Sequence, residues 1–554
     1  MSSFVNYFFL ITLVVFSLTG CGKSPEAATS QPSTLNPQPS PVLRLHWLGK
    51  KRLSAEANAT NFVSIWNMPE SARLEAQTLD KLSTAPWRLI KSATPLSTAP
   101  VALLRPLLDD LVQEESYLEI ISSTNQPTEA VFAIKLPADR AALWQTNLPL
   151  VLRSLSAKTP DPRPQTPDPH AFDISLETLG LRLELTRSGD WTLLTFSDQS
   201  SRTTPGALAE KILSRLTATG SPYERAATNY WISGMADLSW ISQALRFQHL
   251  PNADLPVCDF SATGDGMNVR TKAGFQFQKA LAVNFNPWNT PTNMISDQLV
   301  SFTAIRLAEG GILKNMAARY LGGCFDQNQV FVWALRSLPM ASYLAVPISP
   351  ESACFDVLSK VLAGDVNHWI SSNAIGSFTP NESGKMISWQ GAPFMTAYVQ
   401  SFEATSGNLI VGGLVPTPLT NRAPNLELVN RMMQKTNMVY YDWEYSAPRV
   451  ESWFYIGQLG RVVFGRPQLP ATASSVAWLK AIGQKLGNAG TVGILNDPQH
   501  LTVERFSTLG LTAVELHLVA DWLESTNFPA GLYTTSQPAR PLLRRSAPMP
   551  VAPN

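Results

Sequence analysis

The spacing of apolar and polar positions divides the chain into segments of two periods. Leu45, Trp47, Leu48 and Leu53, followed by Phe62, Ile65 and Trp66, recur at roughly helical intervals. Pro69 breaks that pattern, and Glu70 and Ser71 open the next helix. Leu103, Leu104, Leu107, Leu108 and Leu111 predict another helix between Pro100 and Glu115, with Pro106 placing its start. Residues 42–116 are therefore expected to form an N-terminal helical segment.

Beyond residue 117 the dominant period is two, and the same order of elements is written twice. A strand at Ala130–Ile134 leads to a helix opened by Pro137-Ala138-Asp139. Its counterpart is a strand at Tyr343–Val346, with a helix opened by Pro350-Glu351-Ser352. Leu181, Leu183 and Leu185 alternate with Arg182, Glu184 and Thr186, turn at Ser188-Gly189-Asp190, and return from Trp191 to Phe196. Thr396–Phe402, the turn Ser406-Gly407-Asn408 and Leu409–Val411 form the matching hairpin. Gly189 precedes Pro205 by 16 positions and Gly407 precedes Pro424 by 17, each Pro opening a helix. A strand ending near Asp237 corresponds to one ending at Asp442. Closing hairpins are expected at Gly264-Asp265-Gly266 and Asn496-Asp497-Pro498.

The fold expected is α+β: two similar units of antiparallel sheet with helices packed on one face, preceded by the helical segment. The units span 117–300 and 329–527, joined by a helical connector at 301–328. Residues 528–554, with five Pro from Gln537 onward and Arg540, Arg544 and Arg545, read as a disordered tail. The Thr-Pro-Asp-Pro repeat between Lys158 and His170 reads as a surface loop.

The N-terminus carries the most specific signal. Phe4 to Leu18 is an uncharged apolar stretch, shorter than the roughly 20 residues of a spanning helix. It fits the apolar region of a signal peptide and ends in Leu18-Thr19-Gly20-Cys21. An aliphatic residue, two small ones and Cys, set at this distance from Met1, resemble the lipobox of bacterial lipoproteins. The resemblance covers residues 1–21 only. It implies cleavage after a 1–20 signal peptide and attachment of a diacylglyceryl group, with acyl chains such as palmitate, to the thiol of Cys21. Further acylation of the new amine would give the two or three chains that stable anchoring takes. Residues 21–41, rich in Pro, Ser, Thr and Gln, would be an extended tether reaching at most about 60 Å. The expected location is the bacterial envelope, facing the periplasm or on the outer membrane, with the membrane bound through Cys21. Gly22, where Asp would signal retention, does not favour the inner membrane.

Composition narrows the function. Lys plus Arg is 43 and Asp plus Glu 42, a net charge of +1 that leaves no basic footprint for nucleic acid. Charged residues are 15% of the chain, against about 25% in typical soluble domains. With Cys21 lipidated, Cys258, Cys324 and Cys354 are an odd set. They read as small buried hydrophobes, with Cys324–Cys354 the best pair if a bridge forms. The six His lie apart, no phosphate-cradling loop or nucleophile motif is present, and no metal or nucleotide cofactor is expected.

Two constellations remain. Asp442 and Glu444 would share one face of a strand about 7 Å apart, suiting paired-carboxylate chemistry or, alternatively, a strand-to-helix junction capped near Ser446. Tyr441, Trp443, Trp453 and Tyr455 are the densest aromatic group, a platform for a ligand or simply packing. The pattern favours a non-enzymatic envelope scaffold or binding module for a protein or polymer. The alternative is an envelope hydrolase with a site assembled from distant residues.

Overall fold

A computed structural model describes residues 40–89, 98–123, 126–155, 172–176, 181–198, 206–223, 230–244, 255–292, 294–295, 299–309, 314, 328–336, 341–348, 354–368, 376–381, 385–391, 396–404, 407–415, 435–463, 469–525 and 528–529. These contain nineteen strands in one sheet and eleven α-helices, a mixed α and β fold. No helix among them is long and apolar enough to cross a membrane.

The strands, in chain order, are β1 (Ser40–Trp47), β2 (Ser116–Ser123), β3 (Gln126–Lys135), β4 (Phe172–Leu176), β5 (Leu181–Ser188), β6 (Trp191–Asp198), β7 (Ile232–Asp237), β8 (Val257–Gly264), β9 (Val269–Gln276) and β10 (Leu299–Arg306). They continue as β11 (Gln329–Leu335), β12 (Ser342–Ile348), β13 (Ser377–Pro380), β14 (Met386–Gln390), β15 (Tyr398–Ala404), β16 (Gly407–Gly413), β17 (Met438–Tyr445), β18 (Asn488–Asp497) and β19 (His500–Ser507). The helices are α1 (Lys50–Leu53), α2 (Thr60–Trp66), α3 (Pro69–Leu89), α4 (Thr98–Gln113), α5 (Ala138–Leu155), α6 (Ala207–Thr219), α7 (Leu238–Ala244), α8 (Cys354–Val361), α9 (Ser446–Val463), α10 (Ser474–Gly483) and α11 (Ala513–Glu524).

Following the hydrogen bonds from one edge, the strands run β4-β5-β6-β3-β2-β1-β7-β8-β9, cross to β19, and continue β18-β17-β10-β11-β12-β16-β15-β14-β13. Every one of these pairings is antiparallel. The crossing pairs Val269 with Ser507 through to Gln276 with His500. Beneath it lies one apolar cluster holding Cys258, Ala273, Phe275, Leu495 and Leu501.

Helices cover both faces of the sheet, not one. In β3, Val131 and Ala133 pack with Leu208, Ile212 and Leu216 of α6. The alternate residues Phe132 and Ile134 pack with Trp144 of α5 and Leu107 of α4. The physical reason is in the run Ala130-Val131-Phe132-Ala133-Ile134, which has no polar position to give to water.

The N-terminal expectation also needs correction. Val42–Trp47 is not helical. It lies in β1, between β2 and β7. Leu43, Leu45 and Trp47 alternate with Arg44 and His46, a period of two that the neighbouring Leu48 masks. Residues 50–113 are largely helical, but α4 begins at Thr98 and carries Pro106 inside it. The connector at 301–328 is likewise strand at its start: Ser301–Arg306 belongs to β10, between β11 and β17. Phe528, assigned to the tail, is buried against Trp522.

The expected hairpins β5–β6, β15–β16, β8–β9 and β18–β19 form. Gly189 takes φ 59 in the first, as a two-residue turn requires. Gly407 does not occupy the equivalent place. It pairs with Ala404 as Trp191 pairs with Ser188, one step past the turn. Pro205, Pro424, the 158–170 loop and residues 1–39 lie outside the described residues, as does most of 310–327.

The cluster under the β9–β19 crossing should carry the cooperativity of the sheet. Phe275→Ala is expected to cost about 3–5 kcal/mol, measured by chemical unfolding. A loss below about 1 kcal/mol would show that the crossing does not depend on this core.

Candidate functional site

The aromatic group splits between the two sides of the sheet. Tyr441 and Trp443 point to one face of β17 and pack in a core with Phe302, Phe331, Trp333 and Tyr343. Trp453 sits on α9 beneath the Arg449 guanidinium, 4.8 Å from its centre, among the helices of the other face. Tyr455 is exposed and touches Phe454. The four side chains do not converge on one platform.

Asp442 and Glu444 do share a face, and both are buried. Thr303 Oγ1 donates to Asp442 Oδ1 at 2.7 Å. Glu444 Oε1 accepts from Ser446 Oγ and from the backbone N–H of Ala513, each at 2.7 Å. Ala513 is the first residue of α11, so Glu444 satisfies one of that helix's orphan donors. Beside it Thr512 and Glu515 form a capping box, and Glu515 holds Arg505 Nη1 at 2.7 Å through both oxygens. Arg449 of α9 completes the group, donating to Ser342 Oγ at 3.0 Å. Burial and the neighbouring Asp442 charge push the Glu444 carboxyl up to about 7. Burial also raises Asp442. The carboxylates thus serve the strand-to-helix junction, where both are buried and Glu444 meets the first residue of α11.

A second buried ionic cluster lies on β1 and β2, built from residues that the helical reading of 42–116 left unconnected. Glu115, at the entry to β2, accepts at Oε1 from Tyr223 Oη at 3.0 Å and faces His46 Nε2 at 3.0 Å. Its Oε2 meets Arg52 of α1. Gly49 makes this approach feasible. It takes φ 86, and a Cβ there would lie 2.6 Å from the backbone carbon of Glu114. Two residues along β2, Tyr117 Oη donates to Glu119 Oε2 at 2.7 Å, Arg215 Nη1 donates there at 2.9 Å, and Arg44 Nε reaches Oε1 at 3.2 Å. Period-two spacing could have found it: Arg44 and His46 face Glu119 and Tyr117 across the β1–β2 ladder.

Chemically this cluster holds charge in place. Burial raises the Glu115 carboxyl, but the His46 hydrogen bond and the Arg52 charge outweigh it and hold the group below its ordinary value. His46 is buried, and its Nδ1 has no hydrogen-bond partner among the described residues. The Lys50-Lys51-Arg52 run is spent similarly, on Glu75, Glu114 and Glu115.

Among the described residues no group of three or more His, Cys, Asp or Glu side chains could hold a metal ion. Cys258 is a buried free thiol, which burial pushes up. Cys354 is disulfide-bonded; the expected partner Cys324 lies outside the described residues. No family model, curated protein or solved structure matches this chain.

Two outcomes are expected. Glu119→Ala leaves Arg215 and Arg44 without their carboxylate and should cost about 3 kcal/mol in chemical unfolding; a loss under about 1 kcal/mol would refute the pairing. Because Glu115 is held below its ordinary value, its stabilisation is present above pH 4.5 and is lost as pH falls through the folded value. Glu115→Gln should flatten the acid limb of a stability–pH curve. An unchanged limb would contradict the assignment.

Proposed function

We propose that the chain is a membrane-anchored lipoprotein of the bacterial envelope, whose body is a non-enzymatic scaffold or binding module made of two similar α+β units. The observation that carries this is Leu18-Thr19-Gly20-Cys21 at the end of an uncharged apolar run, with a Pro- and Ser-rich tether behind it. A thiol so placed takes lipid, and the tether lifts the body off the bilayer.

The strand order supports the two-unit part. Reading outward from the crossing, one half runs β9-β8-β7-β1-β2-β3-β6-β5-β4 and the other β19-β18-β17-β10-β11-β12-β16-β15-β14. With β1–β3 matched to β10–β12 and β4–β9 to β14–β19 the two orders are the same; β13, which follows β12 in the chain, is the one extra strand and lies at the outer edge of the second half. Each half contributes its last strand to the crossing, antiparallel, as a two-fold relation demands.

The alternative, an envelope hydrolase, has less to draw on. Asp442 and Glu444 support α11, and Glu115 holds His46 in a buried cluster. These two buried groups of acids, among the described residues, are engaged with Arg, His and hydroxyl partners, which suits a rigid platform rather than a reaction centre. The ligand would be an envelope protein or polymer.

Metabolic labelling with a fatty-acid probe tests the anchor. Wild-type protein should carry label and sediment with membranes, while Cys21→Ser should lose the label. Equal labelling of both would sink the lipoprotein reading.

A further inference from the structure

His46 and Arg306 hold corresponding places in the two matched strand orders. Each is the last side chain on its face of its strand, β1 or β10. His46 lies opposite Tyr117 of β2, and Arg306 opposite Gln329 of β11. The chain supplies His46 with an acid, Glu115. Arg306, only 2% exposed, has no acid partner among the described residues. Its Nε donates to Met438 O at 3.1 Å, and its Nη1 to Asn286 O at 2.6 Å and Asn284 O at 3.4 Å. All three acceptors are backbone carbonyls, which carry no net charge. Burial alone pushes the guanidinium down to about 10, so it stays charged at neutral pH. A buried cation that keeps its proton is costly without an anion beside it.

The guanidinium is held in place but not sealed off. Gln329 Oε1 accepts from the backbone N–H of Asn289, and its Nε2 donates to Pro287 O, each at 2.8 Å. With the Arg306 bonds, these fasten residues 284–289 over the end of β10. The segment brings two rings to the guanidinium, Trp288 at 3.9 Å and Phe285 at 5.6 Å from its carbon. Two donors are left over. Arg306 Nη2 makes no hydrogen bond among the described residues, and it is not one of the polar atoms closed to solvent. Trp288 Nε1 is closed to solvent and has no acceptor. Phe285, 40% exposed, stands at the rim.

We propose that Arg306 is the binding site for a carboxylate carried on an apolar body: the acid that the chain provides in its first half is provided in its second half by a ligand. A carboxylate oxygen takes a charge-assisted hydrogen bond from Nη2 and cancels the surplus charge. Its planar group extends the guanidinium plane past the Trp288 ring, and its apolar body lies on the exposed Phe285 ring. A bare phosphate meets the charge but leaves that ring unused. The inference goes beyond the lipoprotein reading. It rests on the strand order and these side chains, and an unlipidated Cys21 would leave it intact.

Benzoate is the probe, with benzamide as its neutral counterpart and inorganic phosphate as the anion without an apolar body. Calorimetry of the full-length protein in detergent should show saturable binding of benzoate at millimolar concentration, none of benzamide, and weaker binding of phosphate. Arg306→Met should weaken benzoate by about tenfold or more. Phe285→Ala changes an exposed ring and no hydrogen bond of Arg306. It should weaken benzoate about threefold, and it decides the matter if the first variant fails to fold. Nitrogen-edited NMR locates the site: the indole N–H signal missing from Trp288→Phe should be one that benzoate shifts in the wild type. No saturable benzoate binding, equal binding of benzamide or phosphate, unchanged binding in either folded variant, or a Trp288 signal that benzoate leaves in place would each overturn the site.

Discussion

Backbone pairing between β9 and β19 is the constraint on which the rest of the architecture depends. A strand at the edge of a sheet exposes a row of unpaired N–H and C=O groups, and proteins must cover or pair that row. Here eight residues of each strand meet in register, from Val269–Ser507 to Gln276–His500. The crossing joins two nine- and ten-strand halves into one sheet and lets a single apolar cluster run beneath both. Phe275 and Ala273 from one side and Leu501 and Leu495 from the other share it. Lys272 and Glu504 meet near its centre, both exposed, so their ion pair adds little beside the backbone bonds.

The helices add a second fastening, independent of the sheet. Strands β7 and β17 both run directly into helices, α7 and α9. Helix α9 lies with α10 and α11 against α3, so the last helices of the chain pack on the first long one. Sheet crossing and helical packing thus tie the same two parts of the chain together on different sides. That arrangement makes the N-terminus of α11 a sensitive place. It is where the sheet, through Glu444, meets the helical layer, through Ala513.

The low charge content takes on meaning in this frame. Charged residues make up only 15% of the chain, yet many are inside. Glu119 serves Arg44, Arg215 and Tyr117; Glu115 serves His46, Arg52 and Tyr223. Such pairs seldom increase stability over an apolar core of equal volume, but removing one partner is costly. Their effect is specificity: Glu115 fits only if Gly49 lets the chain after β1 lie against the chain entering β2.

The sequence alone determined whatever depends on neighbours close along the chain. The turn at Gly189, the alternation in β5 and β6, and the breaks at Pro69 and before Asp139 are all short-range patterns, and local conformational cost suffices to read them. The mixed α and β class followed from counting such patterns. It misread β1, because Leu45, Trp47 and Leu48 fit a helical spacing as well as an alternating one. Only pairing with β2 and β7 separates those readings. It also placed helices on one face, although the unbroken apolar run of β3 implied two. The site divided in the same way. Asp442 and Glu444 were legible as a pair through their i, i+2 spacing. Their partners Thr303, Arg505 and Ala513 lie 139, 63 and 71 positions from Asp442, and no local pattern points to them. What the carboxylates do was therefore decided by tertiary structure, because burial and hydrogen bonding, not residue type, set whether an acid is a reagent, an ion pair or a helix cap.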